Sequence, residues 1–197
     1  REILFPTPIY FKDLPNAKEI NKYLYKEIKA WYKADPKGEI KTNSGFGWHS
    51  KTNMNELKQF EPLTKELFMM AEACNLDYGV QPKLGLGNMW ANINPPGGMN
   101  RAHQHPNSLW SGVYYIKAPK NSGHLKIDDP RASACMSRPK QKPGPVPSRL
   151  YRETHYEPKA GRLIMFPSWL MHCVDPNESN DIRISVSFNF LQKGMFV

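Results

Sequence analysis

Two histidines, His103 and His105, stand one residue apart in the stretch from Asn88 to Tyr115, with Gln104 between them. On extended backbone, side chains at i and i+2 project to the same side. Such a pair can grip one metal ion if a third ligand arrives from elsewhere in the chain. His172 is a candidate for that ligand, and Arg183-Ile184-Ser185 follows it on the next apolar, alternating run. Two close ligands, one distant ligand and a basic residue one strand later suggest a non-haem iron site with open coordination positions. Imidazole suits Fe, Cu, Ni and Zn, so an all-histidine face is chemically reasonable, and it brings one negative charge fewer than a face with a carboxylate. If His105 stands outside that face, Asp128 or Asp129 could supply the carboxylate, although Asp129 in Asp-Pro-Arg also suits a turn cap.

The elements that must position these residues are legible as short strands. From Leu84 to Asn94 the pattern alternates, with Asn88, Trp90, Asn92 and Asn94 on one face and Met89, Ala91 and Ile93 on the other. Pro95-Pro96-Gly97-Gly98 is a turn. Further strands are expected over 109–116, 123–127, 149–156, 161–167, 169–174 and 182–190, and many short strands at near-regular spacing mean a sandwich or barrel. Ahead of them, Pro8 to Phe11 reads as an edge strand. Asn16-Ala17-Lys18-Glu19 has the form of a capping box opening a helix whose Ile20, Leu24, Ile28 and Trp31 share a face. Asp35-Pro36-Lys37-Gly38 stops it. Pro62 suits the first turn of a second helix, with Leu63, Leu67, Met70 and Cys74 along its stripe. Both helices are expected to buttress the outside of a sheet. His49 could face the pocket but is expected at the surface, and His124 and His155, without an evident partner, are expected to be structural. Trp90, Trp110 and Trp169 read as core or pocket wall.

With 197 residues the chain is expected to form one domain with a core of its own. Three widely separated cysteines, Cys74, Cys135 and Cys173, argue against a disulfide framework and for a reducing compartment. No apolar run approaches the roughly 20 residues of a membrane helix, and no charged-then-apolar leader is present, so a cytoplasmic location is expected. The formal charge of +9 fits ordinary solvated lysine or attraction to an acidic partner. Between Asp129 and Glu153 there is no acidic residue, while Arg131, Arg138, Lys140, Lys142, Arg149 and Arg152 fall there, stiffened by Pro139, Pro143, Pro145 and Pro147. So long a connection is expected to be a lid or substrate flap, or else a passive excursion.

Several local pieces resemble one group of double-stranded β-helix oxygenases, the "putative 2OG-Fe(II) oxygenase" proteins. They are Leu4 to Pro8, His105 to Ser108, Ser111 to Tyr115, Asp129-Pro130-Arg131, Phe166 to Trp169 with His172, and Arg183 to Asn189. The resemblance spans nearly the whole chain and is strongest from Asn88 onward. It implies a mainly β protein with flanking helices: a jelly-roll, cupin-like core over 84–191, buttressed by two N-terminal α-helices within 1–80. It also implies Fe(II), O₂ and 2-oxoglutarate as co-substrate, with hydroxylation of a C–H bond and release of succinate and CO₂. His103, His105 and His172 are then the expected metal ligands, although His105 stands where most relatives in the wider superfamily carry a carboxylate.

Arg183 is the expected partner of the distal carboxylate, since a guanidinium fork matches a carboxylate bidentately. Ser185 resembles the second member of an Arg-x-Ser pair. Tyr115 resembles the tyrosine that bonds the same carboxylate in the prolyl hydroxylase branch. Asn92 and Asn94 resemble the Asn-x-Tyr of the nucleic-acid demethylating branch. Arg131, Arg138 and Trp90 are expected to border the substrate. The primary substrate stays open: a protein side chain, a nucleic acid or an anionic metabolite would suit a basic lid. The competing reading is a non-oxygenase cupin-like metal-binding protein or isomerase, which has no reason to place Arg183-x-Ser185 beside the metal.

Overall fold

The computed structural model describes the chain except residues 1–3, 41–45, 80–82, 132, 134–135, 137–139, 141–142, 148–151 and 193–197. Strand β1 (Tyr10–Asp13) leads into α1 (Ala17–Ala34). After β2 (Trp48–His49) and two short 3₁₀ turns comes α2 (Glu61–Asp77). The remaining strands are β3 (Leu84–Asn94), β4 (Asn100–His103), β5 (Trp110–Lys117), β6 (Leu125–Asp128), β7 (Glu153–Tyr156), β8 (Arg162–Pro167), β9 (His172–Val174) and β10 (Arg183–Gln192).

Pairing sorts them into two antiparallel sheets. One has six strands in the order β1-β8-β5-β10-β3-β2, the other four in the order β4-β9-β6-β7. Strands consecutive in sequence alternate between the sheets from β3 to β10, apart from the step from β6 to β7, which winds the chain as a jelly roll. This is the double-stranded β-helix fold, mainly β with two flanking helices.

The larger sheet buries both faces. Its outer face carries Met89, Ala91, Ile93, Tyr114, Val186 and Phe188 against Leu24 and Ile28 of α1 and Leu63, Leu67 and Met70 of α2. Each of these side chains is worth roughly 1.5–3 kcal/mol when fully buried, so the helices hold the sheet by the apolar stripes that the sequence displays. The inner face shares a second, smaller cluster with the four-stranded sheet: Tyr115, Leu125, Ile127, Ile164, Phe166 and Leu170. Pro62 sits in the first turn of α2 as its spacing predicts. The capping box at Asn16 does not form. Its side chain makes no capping bond, and its backbone carbonyl takes the Glu19 and Ile20 N–H groups instead.

The strand expected from Trp169 starts only at His172, because residues 167–170 close a turn through Leu170 N–H to the Pro167 carbonyl at 3.1 Å. That turn tips Trp169 outward, 49% exposed, so it is neither core nor pocket wall. Trp110, at 1%, is core. No helix among the described residues is long and apolar enough to cross a membrane.

Candidate metal and co-substrate site

The three histidines meet where the two sheets face each other. In the four-stranded sheet His103 of β4 is the direct cross-strand partner of His172 of β9, which in turn faces Ile127 of β6. His105 lies just past β4, its N–H bonded to the Ser168 carbonyl at 3.1 Å. Ring centroids stand 4.4 Å apart for His103 and His172, 4.9 Å for His103 and His105, and 5.1 Å for His105 and His172. One nitrogen of each lies within 4.8 Å of the others, and neither Asp128 nor Asp129 belongs to the group. Asp129 binds the backbone N–H and guanidinium of Arg131 instead, at 2.9–3.0 Å.

The donor chemistry suits a divalent metal. Burial pushes all three imidazoles below their ordinary pKa, His172 to about 3 and His105 to about 4, and neighbouring rings push His172 and His105 further in the same direction. They are therefore neutral at pH 7, with a lone pair to give. Two of them have their tautomer fixed from behind. His103 Nδ1–H donates to the Arg101 carbonyl at 2.7 Å and His172 Nδ1–H to the Leu170 carbonyl at 2.8 Å, which leaves Nε2 of each as the free donor atom. His105 has no such carbonyl: its Nδ1 stands 3.5 Å from the Asn189 side-chain amide nitrogen. Ser111 Oγ and the Asn88 side chain, each at 2.7 Å, orient Asn189 in turn.

Arg183 stands on β10 across the cavity, 1% exposed. Its Nη1 donates to the carbonyls of Ser122 and Gly123, and among the described residues it has no ion-pair partner. Burial lowers its pKa, a direction opposed by Tyr115 and Asp175. A buried guanidinium without a contact ion pair is costly, and an incoming anion relieves that cost. Gly123 makes the approach feasible: at φ +93° it brings its backbone so close that a Cβ would stand 2.8 Å from Arg183 Nη1 and overlap the Asp175 carbonyl.

Ser185 pairs with Asn92 on one side and Tyr115 on the other, so three polar side chains form a row on the inner face beside Arg183. Burial raises the Tyr115 phenol to about 12, with Arg183 pulling it back. It therefore stays a protonated hydrogen-bond donor.

Trp90, Asn92, Tyr115, Arg183 and Ser185 line the same cavity as the three histidines. Asn94 does not line it. Its carbonyl takes the Asn177 amide at 3.0 Å beneath the 95–98 turn, and its side chain is buried there. Arg131 is exposed and bound to Asp129, away from the cavity lining. Arg138 lies outside the described residues, as do Cys135, Lys142 and Arg149.

His49, expected at the surface, is instead 7% exposed and lines the cavity. It faces Asn92 across the β2–β3 pair and stacks on Trp90 with centroids 5.4 Å apart and planes at 16°. Period-two alternation from Trp48 was the available signal, but only the pairing of β2 with β3 decides which face looks inward. Ser187, opposite Trp90, joins the lining too.

A family model described as "Putative 2OG-Fe(II) oxygenase" matches residues 88–189. Comparison with curated proteins finds no match in sequence. Among solved structures, the chain is similar to a prolyl-4-hydroxylase from Pseudomonas putida, at 18% identity and a TM-score of 0.67, over 95% of this chain and 94% of that one. It is also similar to a prolyl hydroxylase from Trichoplax adhaerens in complex with a hypoxia inducible factor peptide fragment, at 12% identity and a TM-score of 0.70, over 94% and 84%. A third is HygX from Streptomyces hygroscopicus with nickel and 2-oxoglutarate bound, at 11% identity and a TM-score of 0.63, over 95% and 84%.

Proposed function

Because the chain belongs to the family described as "Putative 2OG-Fe(II) oxygenase", we propose that His103, His105 and His172 hold its iron and that Arg183 anchors its co-substrate. The protein is an oxygenase that uses Fe(II), 2-oxoglutarate and O₂. The observation that carries the assignment is the buried Arg183, with no ion pair among the described residues, facing three clustered neutral imidazoles across one cavity. A cupin-like binder or isomerase would give that guanidinium no anion to meet.

Bound at the imidazoles, Fe(II) supplies the oxidation that converts 2-oxoglutarate and O₂ to succinate and CO₂ while one oxygen atom enters a substrate C–H bond. The chain's own part is placement. Arg183 takes the distal carboxylate through its guanidinium, and the Tyr115 phenol and Ser185 hydroxyl donate to the same group. Asn92 braces this end, its amide bonded to the Ser187 hydroxyl at 3.2 Å. The apolar wall of Leu125, Phe166 and Val113 keeps water from the reacting centre. Trp90 and His49, stacked on the side of His105, form the wall along which substrate approaches.

The substrate is a C–H-bearing molecule of anionic character, a reading supported by the net charge of +9 and the arginines between Asp129 and Glu153. Residues 1–197 act as one oxygenase domain. The free thiols of Cys74 and Cys173 suit a reducing, cytoplasmic compartment. The test is succinate formation by iron-loaded protein given 2-oxoglutarate and O₂. Turnover is expected in the wild type and lost in His172→Ala. Equal turnover in that variant would remove the three-histidine site from the reaction.

A further inference from the structure

The outer face of the four-stranded sheet carries a second group of metal-ligating side chains that the oxygenase reaction does not use. His124 precedes β6, His155 lies on β7 and Asp175 follows β9, and one ligand atom of each lies within 4.8 Å of the others. Register produces this meeting. Lys126 of β6 faces His155 on one side and Cys173 on the other, and Asp175 N–H donates to the His124 carbonyl at 2.9 Å. Alternation then sends 124, 155 and 175 outward, while Ile127 and His172, one residue out of phase, point between the sheets.

We propose that His124, His155 and Asp175 form a second metal site, for a divalent ion of the zinc type, which clamps β7 to the ends of β6 and β9. Two imidazoles and a carboxylate are a zinc donor set, with water completing a tetrahedron. His155 also has the support that such ligands require. Its Nε2 meets Glu153 Oε1 at 2.9 Å, so the carboxylate holds one ring nitrogen as donor and leaves the other its lone pair. Glu153 is itself held by Lys126 at 3.0 Å.

His124 Nδ1 and Asp175 Oδ2 stand 4.0 Å apart. Ligands of a tetrahedral zinc lie about 3.4 Å apart, so the group must contract by under about 1.5 Å. All three side chains can do so, since His155 is exposed and the other two are partly exposed. The clamp would fix β7, to which the 129–152 segment returns, onto β9, the strand that carries His172.

The test is zinc stoichiometry by equilibrium dialysis on four proteins: wild type, His155→Ala, His172→Ala and the double variant. Two, one, one and no equivalents are expected, and Glu153→Gln should weaken the second site by about 10- to 100-fold. In His172→Ala, zinc should shift the imidazole C–H proton resonances of His124 and His155 together, a readout that needs no substitution in the new site. Two equivalents retained in His155→Ala, or no zinc-dependent shift at His124 and His155, would overturn the proposal. Should wild type bind one equivalent that His155→Ala loses and His172→Ala keeps, the second site stands and the three-histidine reading fails.

Discussion

At the scale of single residues, the site rests on what burial does to charge. Three imidazoles are held neutral by desolvation and one guanidinium is held without an ion pair among the described residues, so one end of the cavity offers lone pairs and the other offers a cation. Truncating one partner of a buried, hydrogen-bonded charge pair costs about 2–5 kcal/mol. Arg183→Ala should therefore weaken 2-oxoglutarate binding by roughly 30- to 5,000-fold, measured by calorimetry on the Mn(II)-loaded protein. Arg183→Lys should recover only part of it, because an ammonium lacks the planar fork. Unchanged affinity in Arg183→Ala would revive the cupin reading.

That His103, His105 and His172 meet in one cavity with Arg183 was legible in the sequence from the His-x-His spacing, chain order and the family resemblance. Asn94 and His49 were not, since their roles turn on which strand lies beside which. Asn94 shares the parity of Asn92, yet the 95–98 turn and Asn177 enclose it.

At the scale of elements, β10 is the spine. It pairs with β3 on one side and β5 on the other, and so brings Asn92, Ser185 and Tyr115 into one row. The opposite sheet contributes His103 and His172 through a single cross-strand pair. These long-range pairings fix the site, and no local propensity reports them; that is also why His124 and His155 appeared unpartnered in the sequence.

The edge of the larger sheet is clipped by Asp13 of β1. Its carboxylate accepts from Arg162 Nε at 2.7 Å and Nη2 at 2.9 Å, and from Lys159 Nζ at 2.7 Å. The Arg162 bond, then the Lys159 bond, holds its pKa below the ordinary 3.8. A carboxyl depressed in the folded state stabilises above its unfolded pKa, and that contribution disappears as pH falls through the folded value. The stability difference between wild type and Asp13→Asn, read from urea midpoints, should be constant from about pH 5 to 7 and shrink below about pH 4. A difference independent of pH down to about pH 2 would show that the ion pair contributes nothing.

At the scale of the whole molecule, two sheets enclose one cavity, and the helices on the outer face of the larger sheet keep it rigid. A sandwich or barrel was legible from strand count and turn chemistry, and the family resemblance narrowed it to a jelly roll. Its division into six and four strands was not, since that depends on crossovers between sheets. Central to the proposal is an iron face made of three imidazoles, His103, His105 and His172, which cluster with no carboxylate among them. The most direct test is X-ray absorption at the iron edge on anaerobic Fe(II)- and 2-oxoglutarate-loaded protein, counting imidazole rings by their multiple scattering in wild type and in His105→Ala. Three rings are expected in the wild type, falling to two in the variant. Two rings in both proteins would contradict the three-histidine face and place His105 outside the metal's coordination sphere.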